Sequence, residues 1–93
     1  MAQVESVRTR RFRRLFDNLP SQIQETARRK FEMFKENPFH SSFRRKVIQS
    51  TVHYPNPHYE FRITRDYRAT CFVDSDTYVW LFIGTHEEFD RMY

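Results

Sequence analysis

The chain has 93 residues, a formal charge of +4 and 39% hydrophobic residues, yet 17% of it is aromatic. That length predicts one domain spanning residues 1–93, and so many large rings exclude a disordered basic segment. The single cysteine, Cys71, excludes an internal disulfide and a cysteine-based zinc site, while the absence of a membrane-length apolar run or a signal-like N-terminus points to a cytoplasmic protein.

In chain order, residues 3–8 alternate and predict a short strand. Thr9 then caps a helix in which Phe12, Leu15, Phe16 and Leu19 recur at helical spacing, and Asn18, Leu19 and Pro20 end it. Ser21 with Gln24 three residues on has the form of a capping box. It opens a second helix running to about Glu36, with Ile23, Ala27, Phe31 and Phe34 on one face and a stop at Asn37–Pro38. Two amphipathic helices across a short turn predict an αα-hairpin.

Beyond Pro38 the period changes. Residues 43–49 predict a strand, and STVHYPNPHY, with Pro55, Asn56 and Pro57, predicts an irregular loop. YEFRIT alternates, with Tyr59, Phe61 and Ile63 on one face and Glu60, Arg62 and Thr64 on the other. Arg65 to Tyr67 connect it to a strand over 68–74, and Asp74 to Asp76 turn the chain again. The run TYVWLFI is apolar on both faces, as a central strand covered on both sides would be. Gly84, the only glycine, follows it and predicts a bend that presents His86. On this reading a Gly84 substitution damages activity more than folding. The expected architecture is α+β: a strand, two helices, then an antiparallel meander packed against them.

Glu60 and Arg62 share a strand face, Arg68 begins the next strand and His86 follows the last, so the four can converge at one end of the sheet. They offer a carboxylate, two guanidinium groups and a side chain that titrates near neutrality. Such a set suits RNA cleavage by its own 2′-OH, which needs a base, cations on the charged transition state and an acid for the departing 5′-oxygen. A charged strand face also reads as a solvated surface pair, and a strand-end histidine as a hydrogen-bonding residue. His40, His53, His58 and His86 lack the helical spacing of a zinc enzyme, so no metal site and no cofactor are expected.

Arginine dominates the cations. Arg8, Arg10, Arg11, Arg13 and Arg14 crowd the start of the first helix, where they oppose the helix dipole. Arg44, Arg45 and Lys46, interleaved with Phe39, Phe43 and Tyr54, have the form of a phosphate-binding and base-stacking group, whereas Arg28, Arg29 and Lys30 read as solvated helix surface.

The order TRRF–RR–F–NLP–IQ, ENPFHSSF–RK, YEFRITRDYRATCFVD and IGTHEEFD resembles the RelE/ParE superfamily of toxins from type II toxin–antitoxin systems, along nearly the whole chain. The resemblance implies a metal-independent endoribonuclease that cleaves mRNA in the ribosomal A site. It also implies a small acidic antitoxin as partner, with operator DNA met only through that partner. By position, Arg62 matches a basic residue of the catalytic strand and Arg68 the arginine that stabilises the transition state. His86 matches the C-terminal histidine that YafQ-like and YoeB-like members use as acid or base. Phe89 or Tyr93 matches a C-terminal aromatic that contacts substrate. Glu60 departs from the prototype, which is basic there, and so shifts the expected chemistry towards histidine and carboxylate. ParE relatives share the fold and poison DNA gyrase, and a gyrase-binding toxin or an inactive antitoxin-binding relative is the competing implication.

Overall fold

The computed structural model describes residues 4–93. The elements are β1 (Glu5–Arg8), α1 (Arg10–Asp17), α2 (Ser21–Glu36), β2 (Lys46–Val47), β3 (His58–Arg62), β4 (Tyr67–Asp74), β5 (Thr77–Thr85) and α3 (His86–Met92). They form an α+β domain whose five-stranded sheet runs β1-β5-β4-β3-β2. Only the β1–β5 pairing is parallel; the other three are antiparallel. Residue 3, where the first strand was expected to begin, lies outside the described residues.

α1 starts where the sequence indicates. The Thr9 side chain accepts from Phe12 N–H at 3.1 Å, and its hydroxyl donates to the Trp80 carbonyl at 2.8 Å. One cap thus starts the helix and ties it to β5. The Ser21 capping box does not form: Pro20 is the N-cap of α2, without a side-chain bond. Gln24 Nε2 instead donates to the carbonyls of Phe16 and Asp17 at 3.0 and 3.2 Å, satisfying acceptors at the end of α1. The Asn18–Pro20 break is therefore closed from the far side.

α1 and α2 cover one face of the sheet. Phe12, Ala27, Phe34, Phe43, Phe61, Ile63, Ala69, Cys71, Tyr78, Trp80 and Ile83 form the main core. Phe34 lies edge-on to Tyr78, Trp80 and Phe61 with centroids 4.8, 5.1 and 5.5 Å away. Each such pair adds about 0.5–1.5 kcal/mol beyond the area it buries, which is how few apolar residues hold this fold.

Two further expectations change. The strand foreseen over 43–49 shrinks to Lys46–Val47, between single 3₁₀ turns at Ser41–Phe43 and Gln49–Thr51. Arg44 closes the first turn in the left-handed region (φ 47°), which breaks the extended run. The second change is at the end of the chain. Gly84 is no bend: it lies within β5, opposite Arg68 and without a positive φ. The chain turns one residue later, where Thr85 and Glu88 form a complete capping box and start α3. This signature, T-x-x-E, was present in the sequence.

α3 crosses the sheet face opposite α1 and α2. Phe89 joins Phe82 and Ile48 in a second cluster there, with Leu81, Met92 and Tyr93 at its margin. β5 is consequently covered on both faces, as its unbroken apolar run implied. Beside α3 the same face stays partly open over β2, β3 and β4, and the charged residues lie there.

Candidate functional site

Register assembles this site. Arg62 stands opposite Arg68, Glu60 opposite Thr70 and Lys46, and Arg68 opposite Gly84. Residues directly opposite share a sheet face, so Lys46, Glu60, Arg62 and Arg68 form one charged patch. Bringing Arg62 beside Arg68 places two like charges together, which needs a counter-charge nearby.

Glu60 supplies it. Its side chain is 10% exposed, with Oε2 accepting from Arg68 Nε at 3.1 Å and Oε1 3.7 Å from Lys46 Nζ. The Arg68 side chain is 14% exposed. Its Nη1 donates to the carbonyls of Thr64, Arg65 and Tyr67 at 2.9, 3.0 and 3.1 Å, closing the β3–β4 turn. Nη2 of Arg68 and the whole Arg62 guanidinium make no hydrogen bond among the described residues, which leaves donors open for an anion.

His86 reaches the same turn by backbone. Its N–H donates to the Asp66 carbonyl at 2.7 Å, while its exposed ring stacks on Phe89 (centroids 6.1 Å) and lies 3.6 Å from Asp90. Helix α3, not a glycine bend, sets its position: His86 is the first residue after the Thr85 cap.

The Arg44–Arg45–Lys46 group divides. Lys46 joins the charged patch. Arg45 goes to the other face, where its guanidinium covers the rings of Phe39, Tyr59 and Tyr78 at 4.2, 4.8 and 5.2 Å and donates to Tyr78 Oη at 2.8 Å. Arg44 is exposed at the left-handed turn. Lys46 is placed by β2, opposite Glu60, whereas Arg45 lies just before that strand and is held by the aromatic rings. Phe89 is 8% exposed and belongs to the second core cluster, so its ring is occupied by packing and not offered to a ligand.

Tyr93 reaches two residues that sequence reasoning did not connect with it. Its hydroxyl is 2.8 Å from His58 Nδ1 and 3.0 Å from Thr70 Oγ1. Burial holds the His58 pKa below its ordinary value and pushes that of Tyr93 up. The alternation that singled out Glu60 and Arg62 puts His58 on their face too, a signal available from spacing alone. Among the described residues, no three His, Cys, Asp or Glu side chains converge as a metal site, and no helix is long and apolar enough to cross a membrane.

The geometry defines a class: an α+β domain with a mostly antiparallel five-stranded sheet, three helices and a charged, partly open face at the β3–β4 turn. A copper-bound mutant toxin from Helicobacter pylori has a similar fold, with a TM-score of 0.62 over 91% of this chain and 97% of that toxin at 18% sequence identity. No protein-family model and no curated protein matches the sequence.

Proposed function

We propose that this chain is the toxin of a type II toxin–antitoxin pair, a metal-independent endoribonuclease that cuts mRNA on the ribosome and so arrests translation. The likeness in fold to a solved toxin supports the toxin reading. The observation that carries the chemistry is the anchored Arg68 beside the unengaged Arg62, with His86 tied to the same turn. Arg62 and the open Nη2 of Arg68 bind the scissile phosphate and stabilise its transition-state charge. The 2′-oxygen attacks phosphorus as it loses its proton to a base. The new P–O2′ bond forms as the P–O5′ bond breaks, and the 5′-oxygen takes a proton. His86, whose imidazole is exposed beside that turn, serves as acid or base. Glu60 orients Arg68, since both of its oxygens already face cations. The partner that silences the toxin is a small acidic antitoxin, the compartment is the cytoplasm, and the α1 arginines provide a complementary surface for that partner.

One observation favours a second reading. Most Arg68 donors are spent on Glu60 and on turn carbonyls, so this arginine also makes sense as a purely structural clamp in a toxin that binds gyrase without cutting RNA. Induced expression followed by mapping of mRNA 5′ ends separates the two. New ends inside translated codons, lost in His86→Ala and Arg62→Ala, support the nuclease. Growth arrest with intact mRNA and broken DNA overturns it in favour of the gyrase binder.

A further inference from the structure

A second feature of the open face lies at the other end of β3. His58, Glu60 and Arg62 alternate along it, about 6.6 Å per step, and so continue the charged patch into an aromatic one. The His58 backbone is tied on both sides: its N–H donates to Thr51 Oγ1 at 2.9 Å and its carbonyl accepts from Ile48 N–H at 2.8 Å. Its ring stacks on Phe72 with centroids 6.0 Å apart and an interplanar angle of 23°. Nδ1 is held by the Tyr93 hydroxyl, which is in turn held by Thr70, a residue with no exposed surface. Nε2 has no hydrogen-bond partner among the described residues.

This network accounts for the fixed imidazole and for the pinned C-terminal residue. It does not account for Tyr54. That ring stands edge-on to His58 at 5.5 Å and to His53 at 5.3 Å, and the residue is 45% exposed, with Val52, on the far side of His53 in the chain, at 48%. An exposed ring next to a fixed imidazole, continuous with Lys46 and Arg62, has the composition of a single-strand nucleic-acid surface: rings for the bases, cations for the backbone. The positive net charge favours the same class of partner.

We propose that Tyr54 and His58 form a nucleotide subsite, in which an unpaired RNA base stacks on Tyr54 and His58 Nε2 hydrogen-bonds that nucleotide. The subsite rests on the reading that this face meets RNA, and it deepens that reading by naming where a neighbouring base is held. The Tyr93 bridge sets the polarity of the imidazole. When Tyr93 donates to Thr70 it accepts from Nδ1–H, and Nε2 is an acceptor; when Thr70 donates to Tyr93, Nε2–H is a donor. Burial, which lowers the His58 pKa, favours the neutral ring in which that choice exists.

The test is binding of a short 2′-O-methyl RNA, which has no 2′-OH nucleophile and stays intact, measured by fluorescence anisotropy and by proton NMR on the full chain. Tyr54→Ala is expected to weaken binding about tenfold, the size of one lost base–aromatic stack, and Tyr54→Phe to restore it. The Tyr54 and His58 ring resonances are expected to shift as the oligonucleotide is added. Tyr93→Phe, which removes the hydroxyl, is expected to weaken binding in an otherwise folded protein. Absence of binding, binding equal in Tyr54→Ala and wild type, or unmoved ring resonances overturns the subsite and leaves this patch to a protein partner. Because the probe cannot be cleaved, Tyr54-dependent binding in a protein that leaves mRNA intact keeps the subsite and removes the nuclease. Cleavage with Tyr54-independent binding does the reverse.

Discussion

Arg68 Nε lies 3.1 Å from Glu60 Oε2, and both side chains are almost wholly withdrawn from solvent. This pair joins β3 to β4 on the open face and, through the Arg68 bonds to the β3–β4 turn, shapes the rim where His86 sits.

Removing Glu60 leaves a buried guanidinium without its counter-charge beside Arg62. Glu60→Ala is expected to cost about 3 kcal/mol of stability. Lys46→Ala, at a partner whose side chain is 70% exposed, is expected to cost less than about 1 kcal/mol. Urea unfolding of the two variants measures the difference, and equal midpoints would show that the pair is not a structural clamp.

Gly84 is required by space. A Cβ there would stand 2.8 Å from Glu88 Oε1 and 2.8 Å from the Phe82 ring. Neither neighbour moves easily, since Phe82 is buried and Glu88 Oε1 accepts from Thr85 N–H and its hydroxyl at 2.8 and 3.0 Å. Gly84→Ala is therefore expected to lower stability by about 1–3 kcal/mol, in contrast to a bend, whose substitution would damage activity more than folding. Thermal unfolding decides between them.

The bonds from the Thr85 backbone N–H and hydroxyl hold the Glu88 carboxyl below its ordinary value of 4.5. Its ionised form is the one the fold favours, so its contribution is complete above the unfolded value and is lost as pH falls through the folded one. Stability is expected to decline below about pH 4.5, and Glu88→Gln to flatten that decline. A variant with the wild-type pH profile in acid would contradict this.

Phe89→Ala is expected to cost about 3–5 kcal/mol, because the ring is buried against Phe82 and Ile48. An unchanged melting temperature would return Phe89 to the role of a surface contact.

Cys71 has no exposed surface, and burial pushes its thiol up to about 12. In the folded protein it is expected to react with a disulfide reagent orders of magnitude more slowly than after denaturation. Prompt labelling under native conditions would mean that β4 opens readily.

The sequence by itself determined the elements whose signals are local. The Thr9 cap, the apolar spacing of α1 and α2, the alternation around Glu60 and Arg62, and the doubly apolar β5 all survive in the structure, because each is written in neighbouring residues. α3 was legible as well, in Thr85 and Glu88, but the glycine before it drew attention to the wrong position. Only the tertiary structure decided what depends on register and on layers. Strand pairing set Arg62 against Arg68 and made Glu60 the counter-ion of Arg68. The start of the two-residue β2 at Lys46 set that residue opposite Glu60 and left Arg45, outside the strand, to the aromatic rings. The return of α3 across the sheet buried Phe89 and brought Tyr93 to His58, 35 residues away in sequence. Contacts at that separation follow from which faces must be buried together, and no local pattern encodes their partners.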